Sequence, residues 1–240
     1  MLKSIQNELG FGIVYTFNQN NCVYARYLVQ GEQNVETLIS IFNGNIHLDK
    51  VYLRFKNWVN GFNSVYNKSI ILKPQRTPNQ FSLDTAWFSG FMDAEGGLSA
   101  SFTDAPRMAA KKRLKLKSYV DQQSELLLMN EITNSFKVSK VTVRSEKNKH
   151  YRVEMVSKTS LEKIQNYLKT HKLRSKKRYV FVIWNNLVNL FLSKQHLVQS
   201  NSFLEKRVKK LQYFNDYFKQ NKTVYRSIEE DINKGIITLP

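Results

Sequence analysis

Gly12 to Phe17 and Cys22 to Val29, on either side of the polar run Asn18 to Asn21, read as alternating extended segments. A period of two sends successive side chains to opposite faces of an extended chain, so this stretch predicts a β-hairpin. The pattern returns in Val138 to Arg144 and His150 to Val156, around Ser145 to Lys149. After each hairpin the apolar spacing lengthens to three and four, which predicts helices over Asn34 to Asn43 and Thr159 to Thr170, then over Asp49 to Val59 and Lys176 to Lys194. Thr159 or Ser160 is placed to cap its helix. Between the hairpins the pattern predicts a helix from near Leu83, a strand Leu98 to Phe102, a basic loop Thr103 to Arg113, a strand Leu114 to Val120 and a helix Glu125 to Phe136. A last helix covers Phe203 to Lys219; its stripe Leu204, Val208, Leu211 and Phe214 is expected in the core, and Lys206, Arg207, Lys209 and Lys210 on its surface.

The two hairpin-helix-helix runs share a register. Without gaps, at a spacing of 126, Tyr15 falls on Val141, Arg26 on Arg152, Lys50 on Lys176, Phe55 on Phe181 and Trp58 on Trp184. Such self-similarity marks a duplicated architecture. The copies differ at their starts: Leu128 falls on Leu2, so the helix and two strands ahead of Leu127 have no counterpart in the first copy. The expected organisation is a truncated first repeat over residues 1–59, a linker over 60–80 carrying Pro74 and Pro78, a complete second repeat over 81–219 and a tail over 220–240.

Composition narrows the class of partner. The 240 residues hold 37 Lys and Arg against 19 Asp and Glu, a net charge of +18, with 42% hydrophobic residues. That content supports a packed core, and that charge attracts a polyanion, with nucleic acid the leading expectation. No membrane is expected, because the longest apolar stretch, Tyr179 to Leu192, is interrupted by Asn185, Asn186 and Asn189. The lone Cys22 excludes an internal disulfide, and His47, His150, His171 and His196 lack zinc-ligand spacing. Met1 to Gly10 shows neither a secretory nor an Arg-rich transit pattern. Together with richness in Asn, Lys, Ile, Phe and Tyr, this leads to the expectation of an organelle-encoded protein, mitochondrial or alternatively plastid.

The chemistry concentrates in Trp87 followed by Phe88-Ser89-Gly90-Phe91-Met92-Asp93-Ala94-Glu95-Gly96. Gly90 and Ala94 are four apart, hence on one helical face, and their lack of bulk admits a second helix at close range. Glu95 ends the helix. The nonamer resembles the signature of the LAGLIDADG homing endonuclease and intron maturase family, and the resemblance covers nearly the whole chain to about Lys219. It implies an α+β fold of αββαββα repeats, one complete and one N-terminally truncated, with an antiparallel β-saddle packed on helices. It further implies that Glu95 is a catalytic carboxylate and ligates Mg²⁺, a cation that takes oxygen ligands and retains reactive waters. Leu116 to Gln122 resembles the family's second strand, which makes Gln122, beside Gln123, a candidate organiser of active-site water or else a solvated glutamine at a helix start. In Lys172-Leu173-Arg174-Ser175-Lys176-Lys177, Arg174 stands where the family has a lysine, with Lys176 close by; a plain phosphate-binding run is the other reading.

The saddle would offer alternate side chains to a groove. Its outward candidates are Ser99, Ser101 and Thr103 on one strand, Lys115 and Lys117 on the next, and Lys140, Thr142, Arg144 and Arg152 on the hairpin. Arg107, Lys111, Lys112 and Arg113 fill the loop, and Arg26, with Thr16, Gln19 and Asn20, serves the first copy. Two functions follow: a site-specific double-stranded DNA endonuclease, or its remnant needing a partner for the missing motif, and a non-catalytic RNA-binding protein of an intron or organellar ribonucleoprotein. In both, a further protein chain or ribonucleoprotein surface is expected over the Phe88 to Glu95 helix.

Overall fold

A computed structural model describes residues 1–20, 22–77, 80–107 and 111–220. Pro78 and the tail from residue 221 onward lie outside the described residues. The chain divides into two compact units, Met1–Phe81 and Ser82–Pro240.

The first unit runs α1 (Leu2–Leu9), β1 (Ile13–Gln19), β2 (Cys22–Leu28), α2 (Glu32–Phe42) and α3 (Asp49–Tyr66). Helix α1 escapes the apolar pattern; it ends on Gly10 at φ 77, whose N–H closes on the Gln6 carbonyl, a left-handed cap that glycine adopts without a Cβ penalty. Ile39, Ile46, Phe55, Val59 and Phe62 form the core. Because Val59, Phe62 and Tyr66 continue the helical spacing, α3 outruns Val59 and takes residues 60–66, which read as linker, before Asn67 ends it in the left-handed region. The segment beyond is also tied down: Asn43 donates to the Ile71 carbonyl at 2.9 Å, and its side-chain oxygen accepts from Lys73 N at 2.8 Å.

The second unit runs α4 (Trp87–Glu95), β3 (Gly96–Asp104), β4 (Lys112–Gln123), α5 (Leu126–Phe136), β5 (Thr142–Ser145), β6 (His150–Met155), α6 (Lys158–Thr170), α7 (Lys177–Leu192) and α8 (Asn201–Gln220). Its four strands form an antiparallel sheet in the order β3-β4-β6-β5. Leu98, Ala100, Leu114, Leu116, Val120, Val153 and Met155 point to the buried side, where Phe88, Met92, Phe136, Ile164, Leu168, Trp184 and Leu187 complete the core. The stripe Leu204, Val208, Leu211 and Phe214 of α8 is buried as expected.

Several boundaries differ from the pattern. Helix α4 starts at Trp87 rather than near Leu83, because Ser82 Oγ bonds both the Asp84 carboxylate and the Asp84 N–H and holds a turn there. Strands β3 and β4 pair as far as Thr103 with Arg113 and Asp104 with Lys112, so these four residues belong to the strands and not to the predicted loop. Gln122 and Gln123 belong to β4, opposite Tyr151 and His150, not to a helix start. Strand β5 starts at Thr142, which leaves Lys140 ahead of the hairpin. The cap of α6 is Ser157, whose Oγ accepts from Ser160 N at 3.2 Å, in place of Thr159 or Ser160.

Moved back by 126, α6 begins at residue 32 and α7 ends at residue 66, the bounds of α2 and α3. Helix α5 then falls on α1, so the duplicated register reaches to the start of the chain.

Candidate nucleic-acid interface and acidic helix end

Pairing sets which side chains share the outer face of the second sheet. Ser99 lies opposite Lys117, Ser101 opposite Lys115 and Thr103 opposite Arg113, and this set alternates with the buried positions. Farther along the same face Tyr119 lies opposite Gly97 and Glu154, and Asp121 opposite Arg152. A Cβ on Gly97 would stand 2.5 Å from the Tyr119 ring, so the phenol covers the glycine. The Arg152 guanidinium sits 4.3 Å from the centre of that ring.

Arg152, expected among the groove-facing residues, is held on that face by acidic neighbours. Its Nε and Nη2 donate to the two Asp121 carboxylate oxygens at 2.7 and 2.6 Å, and Nη1 lies 3.5 Å from Glu154. The Asp121 bond raises its pKa, and Glu154 is drawn down by Lys117 and Arg152 against the opposing effect of burial. Lys117 donates to Glu154 at 2.8 Å. Asp121, Gln123, Arg144, Ser145, Asn148, His150 and Arg152 line a recess of about 460 Å³ on this side. Lys115, Arg113, Thr142 and Arg144 are exposed. Arg107 is exposed in the turn after β3, Lys111 sits at positive φ before β4, and Lys112 lies 3.8 Å from Glu205. In the first unit Arg26 is 4.9 Å above the Phe17 ring and donates to Tyr15 Oη at 3.2 Å.

Helix α4 leads straight into β3. Phe88, Ser89, Phe91 and Met92 are buried, whereas Gly90, Ala94 and Glu95 are exposed. A Cβ on Gly90 would meet nothing within 4 Å, so the small-residue face of the helix is open. A Cβ on Gly96 would stand 2.5 Å from Met92 Sδ and 2.9 Å from the Met92 carbonyl oxygen, which requires glycine immediately after Glu95. Asp93 turns to the entry of α7: one carboxylate oxygen accepts Arg174 N at 2.7 Å, the other Ser175 N at 3.3 Å and Ser175 Oγ at 2.6 Å. Lys177 Nζ donates to the Met92 and Asp93 carbonyls at 3.0 and 2.8 Å. Burial lowers its pKa, against the raising charges of Asp93 and Glu95.

Of the sequence candidates near this end, Arg174 is exposed with its backbone on Asp93, and Lys176 lies 5.5 Å from the Phe218 ring centre. Gln122 is half-buried on the inner side of β4, and Gln123 is exposed on the outer side. The residues missed were Asp93, Lys177, Asp121 and Tyr119. The Asp93 and Lys177 partners lie more than eighty positions away, so no local spacing announces them.

Among the described residues no three His, Cys, Asp or Glu side chains gather as a metal cluster. A single exposed carboxylate nevertheless suits Mg²⁺, which commonly takes one or two carboxylates and fills its remaining positions with water and phosphate oxygens. Glu95, exposed at the helix end, fits that pattern, while Asp93 is already engaged by three protein donors. No helix among the described residues is long and apolar enough to cross a membrane.

An antiparallel sheet with a polar, lysine-bearing outer face, entered from a helix with an open small-residue side and a carboxylate at its end, defines the second unit as α+β. Residues 88–188 match the LAGLIDADG endonuclease family model, and the chain carries a domain of that family. Probable intron-encoded endonuclease 4 of Neurospora crassa is 33% identical over 220 residues, which is 91% of this chain and 39% of that protein. The chain therefore spans about two fifths of the length of this relative. Among solved structures, the LAGLIDADG meganuclease I-AabMI bound to uncleaved DNA is similar with a TM-score of 0.67 at 16% identity, covering 90% of this chain and 83% of that one. The LAGLIDADG homing endonuclease I-GzeII in complex with its DNA target gives 0.63 at 20% identity, covering 88% and 81%. At these identities the likeness establishes the fold.

Proposed function

We propose that this chain is the nucleic-acid-binding and acid-donating part of a site-specific, Mg²⁺-dependent double-stranded DNA endonuclease. The observation that carries the reading is the exposed Glu95 carboxylate at the end of a helix whose Gly90 and Ala94 side is open. Double-strand cleavage needs two cuts, and one such acid serves one of them. A second small-residue helix, packed against Gly90 and Ala94, would bring the other carboxylate beside Glu95. Bound there, Mg²⁺ would polarise a scissile phosphate and lower the pKa of an attacking water. The chain's own work is to hold the duplex on Ser99, Ser101, Thr103, Arg113, Lys115 and Lys117, to present Glu95, and to keep the α4 end rigid. Gln122, on the inner side of β4, and Arg174, whose backbone N–H reaches Asp93, remain the candidates for ordering water and for countering phosphate charge.

The intron-encoded relative and the Asn- and Lys-rich composition support an organelle-encoded, mitochondrial protein. The test is a cleavage assay with Mg²⁺ on duplexes tiled across the protein's own coding locus, run beside binding to the intron RNA. Metal-dependent cutting that Glu95→Gln removes supports the reading. Tight intron RNA binding without DNA cutting, with or without an added chain bearing the second helix, overturns it in favour of a non-catalytic RNA-binding role.

A further inference from the structure

Helix α8 lies against β3, the edge strand of the second sheet. Gln212 Nε2 donates to the Ala100 carbonyl at 3.2 Å, and Asn215 Nδ2 to the Leu98 carbonyl at 2.9 Å. With Leu204, Val208, Leu211 and Phe214 in the core, these bonds fix the rotation of the helix and so decide what its far side displays. Lys206, Lys210, Tyr213 and Tyr217 are spaced four, three and four apart, which puts them on one stripe away from the core. Lys206 and Tyr213 are exposed, Lys210 and Tyr217 half-buried. The Tyr213 and Tyr217 rings stack at 6.0 Å and 24°, and Tyr213 is left 58% exposed.

The other cations of the helix are drawn elsewhere. Arg207 lies 4.5 Å from the Phe203 ring centre, and Lys209 lies 3.2 Å from Glu205. No acid stands on the stripe itself, so its two lysines face solvent beside two stacked rings. Lysine there recruits phosphate by charge. The rings ask for more than phosphate: an aromatic face is matched by a base, and in a duplex the base faces are already stacked on one another. An unpaired strand offers both. Tyr119, on the duplex-facing side of the sheet, lies under the Arg152 guanidinium, whereas Tyr213 is open.

We propose that the exposed stripe of α8 is a second nucleic-acid site, specific for an unpaired strand, with bases stacking on Tyr213 and Tyr217 and phosphates on Lys206 and Lys210. The site is separate from the outer face of the sheet and owes nothing to Glu95, so it stands whether or not the chain takes part in cleavage.

The probe is a fluorescein-labelled oligothymidylate of about twelve nucleotides, which spans a site of this kind and has no complementary strand. Its binding to the full chain is followed by anisotropy beside that of a mixed-sequence duplex. Tyr213→Ala should weaken oligothymidylate binding about tenfold, the scale of one base stacked on an aromatic side chain, and leave duplex binding within about twofold. Tyr213→Phe keeps the ring and should bind as wild type does. Lys206→Gln should weaken the oligothymidylate more than the duplex and reduce the salt slope of oligothymidylate binding by about one. That comparison carries the test if Tyr213→Ala does not fold. Failure of the wild-type chain to bind oligothymidylate overturns the proposal. Unchanged binding in Tyr213→Ala also overturns it, as does an equal loss for oligothymidylate and duplex, which would make α8 part of a general polyanion surface. Self-association of the wild-type chain that Tyr213→Ala abolishes, with oligothymidylate binding unmoved, would assign the stripe to a second copy instead.

Discussion

The phenolic oxygen of Tyr167, on α6, accepts the Ser89 N–H at 2.9 Å and donates to the Thr85 carbonyl at 2.8 Å, bonding α6 to the start of α4. Burial pushes this phenol up to about 12, so the donor is present at any working pH. Tyr167→Phe keeps the ring between Phe88 and Phe136 but strands the Ser89 N–H in the interior. The expected cost is about 1–3 kcal/mol, read as a lower urea midpoint at unchanged slope.

Glu95→Gln preserves shape and removes charge. Metal-dependent cutting, assayed with the second helix supplied, should vanish, while duplex affinity in the absence of metal stays close to wild type. Retention of cutting would remove Glu95 from the chemistry.

Gly90 has open space where a side chain would project. Gly90→Ala should therefore stabilise the isolated chain, by up to about 1 kcal/mol, through helix propensity alone. The same methyl lies on the face proposed for a second helix and should weaken that association. A lower melting temperature for the isolated variant would show that the face is already covered.

Lys115 and Arg152 separate binding from folding. Lys115 is exposed, so Lys115→Ala should lower duplex affinity, reduce the salt slope by about one and leave the melting curve unmoved. Arg152→Ala removes the partner of the half-buried Asp121 and should lower both affinity and stability, the latter on the order of 1–2 kcal/mol. Paired filter-binding and thermal melts check both.

His47 is buried in the first unit, and burial followed by the Arg76 charge lowers its pKa to about 4. The unfolded chain takes up that proton near 6.5 and the folded chain does not. Stability of this unit should be flat above about 6.5 and fall as the pH drops toward 4, and His47→Gln should flatten the fall. Chemical melts at intervals of pH follow it.

The hairpins and long helices were legible because burial imposes a period on neighbouring residues: Leu114, Leu116, Ser118 and Val120 are all buried. Strand ends were not, since Thr103, Asp104, Lys112 and Arg113 are polar and their pairing depends on a partner strand. Helix α1 forms from a largely polar stretch closed by Gly10, and in α3 the intervening Asn60, Gly61, Asn63 and Ser64 obscured the continued apolar spacing of Phe62 and Tyr66. At the acidic helix end, the motif drew attention to Glu95 and its small-residue face. The Asp93 and Lys177 contacts depend on tertiary folding and leave no local trace.

Alternation along β3 and β4 also sorts positions by what evolution can do with them. Leu98, Ala100, Leu114, Leu116 and Val120 are filled by close packing, where a changed volume is felt at once. Ser99, Ser101, Thr103, Arg113, Lys115 and Lys117 stand between them on the other side, and exchanges there leave that packing untouched. A lineage can rewrite the outer set one residue at a time while the inner set stays under constraint. The same short stretch of gene thus interleaves, codon by codon, positions fixed by packing with positions that packing leaves open to exchange.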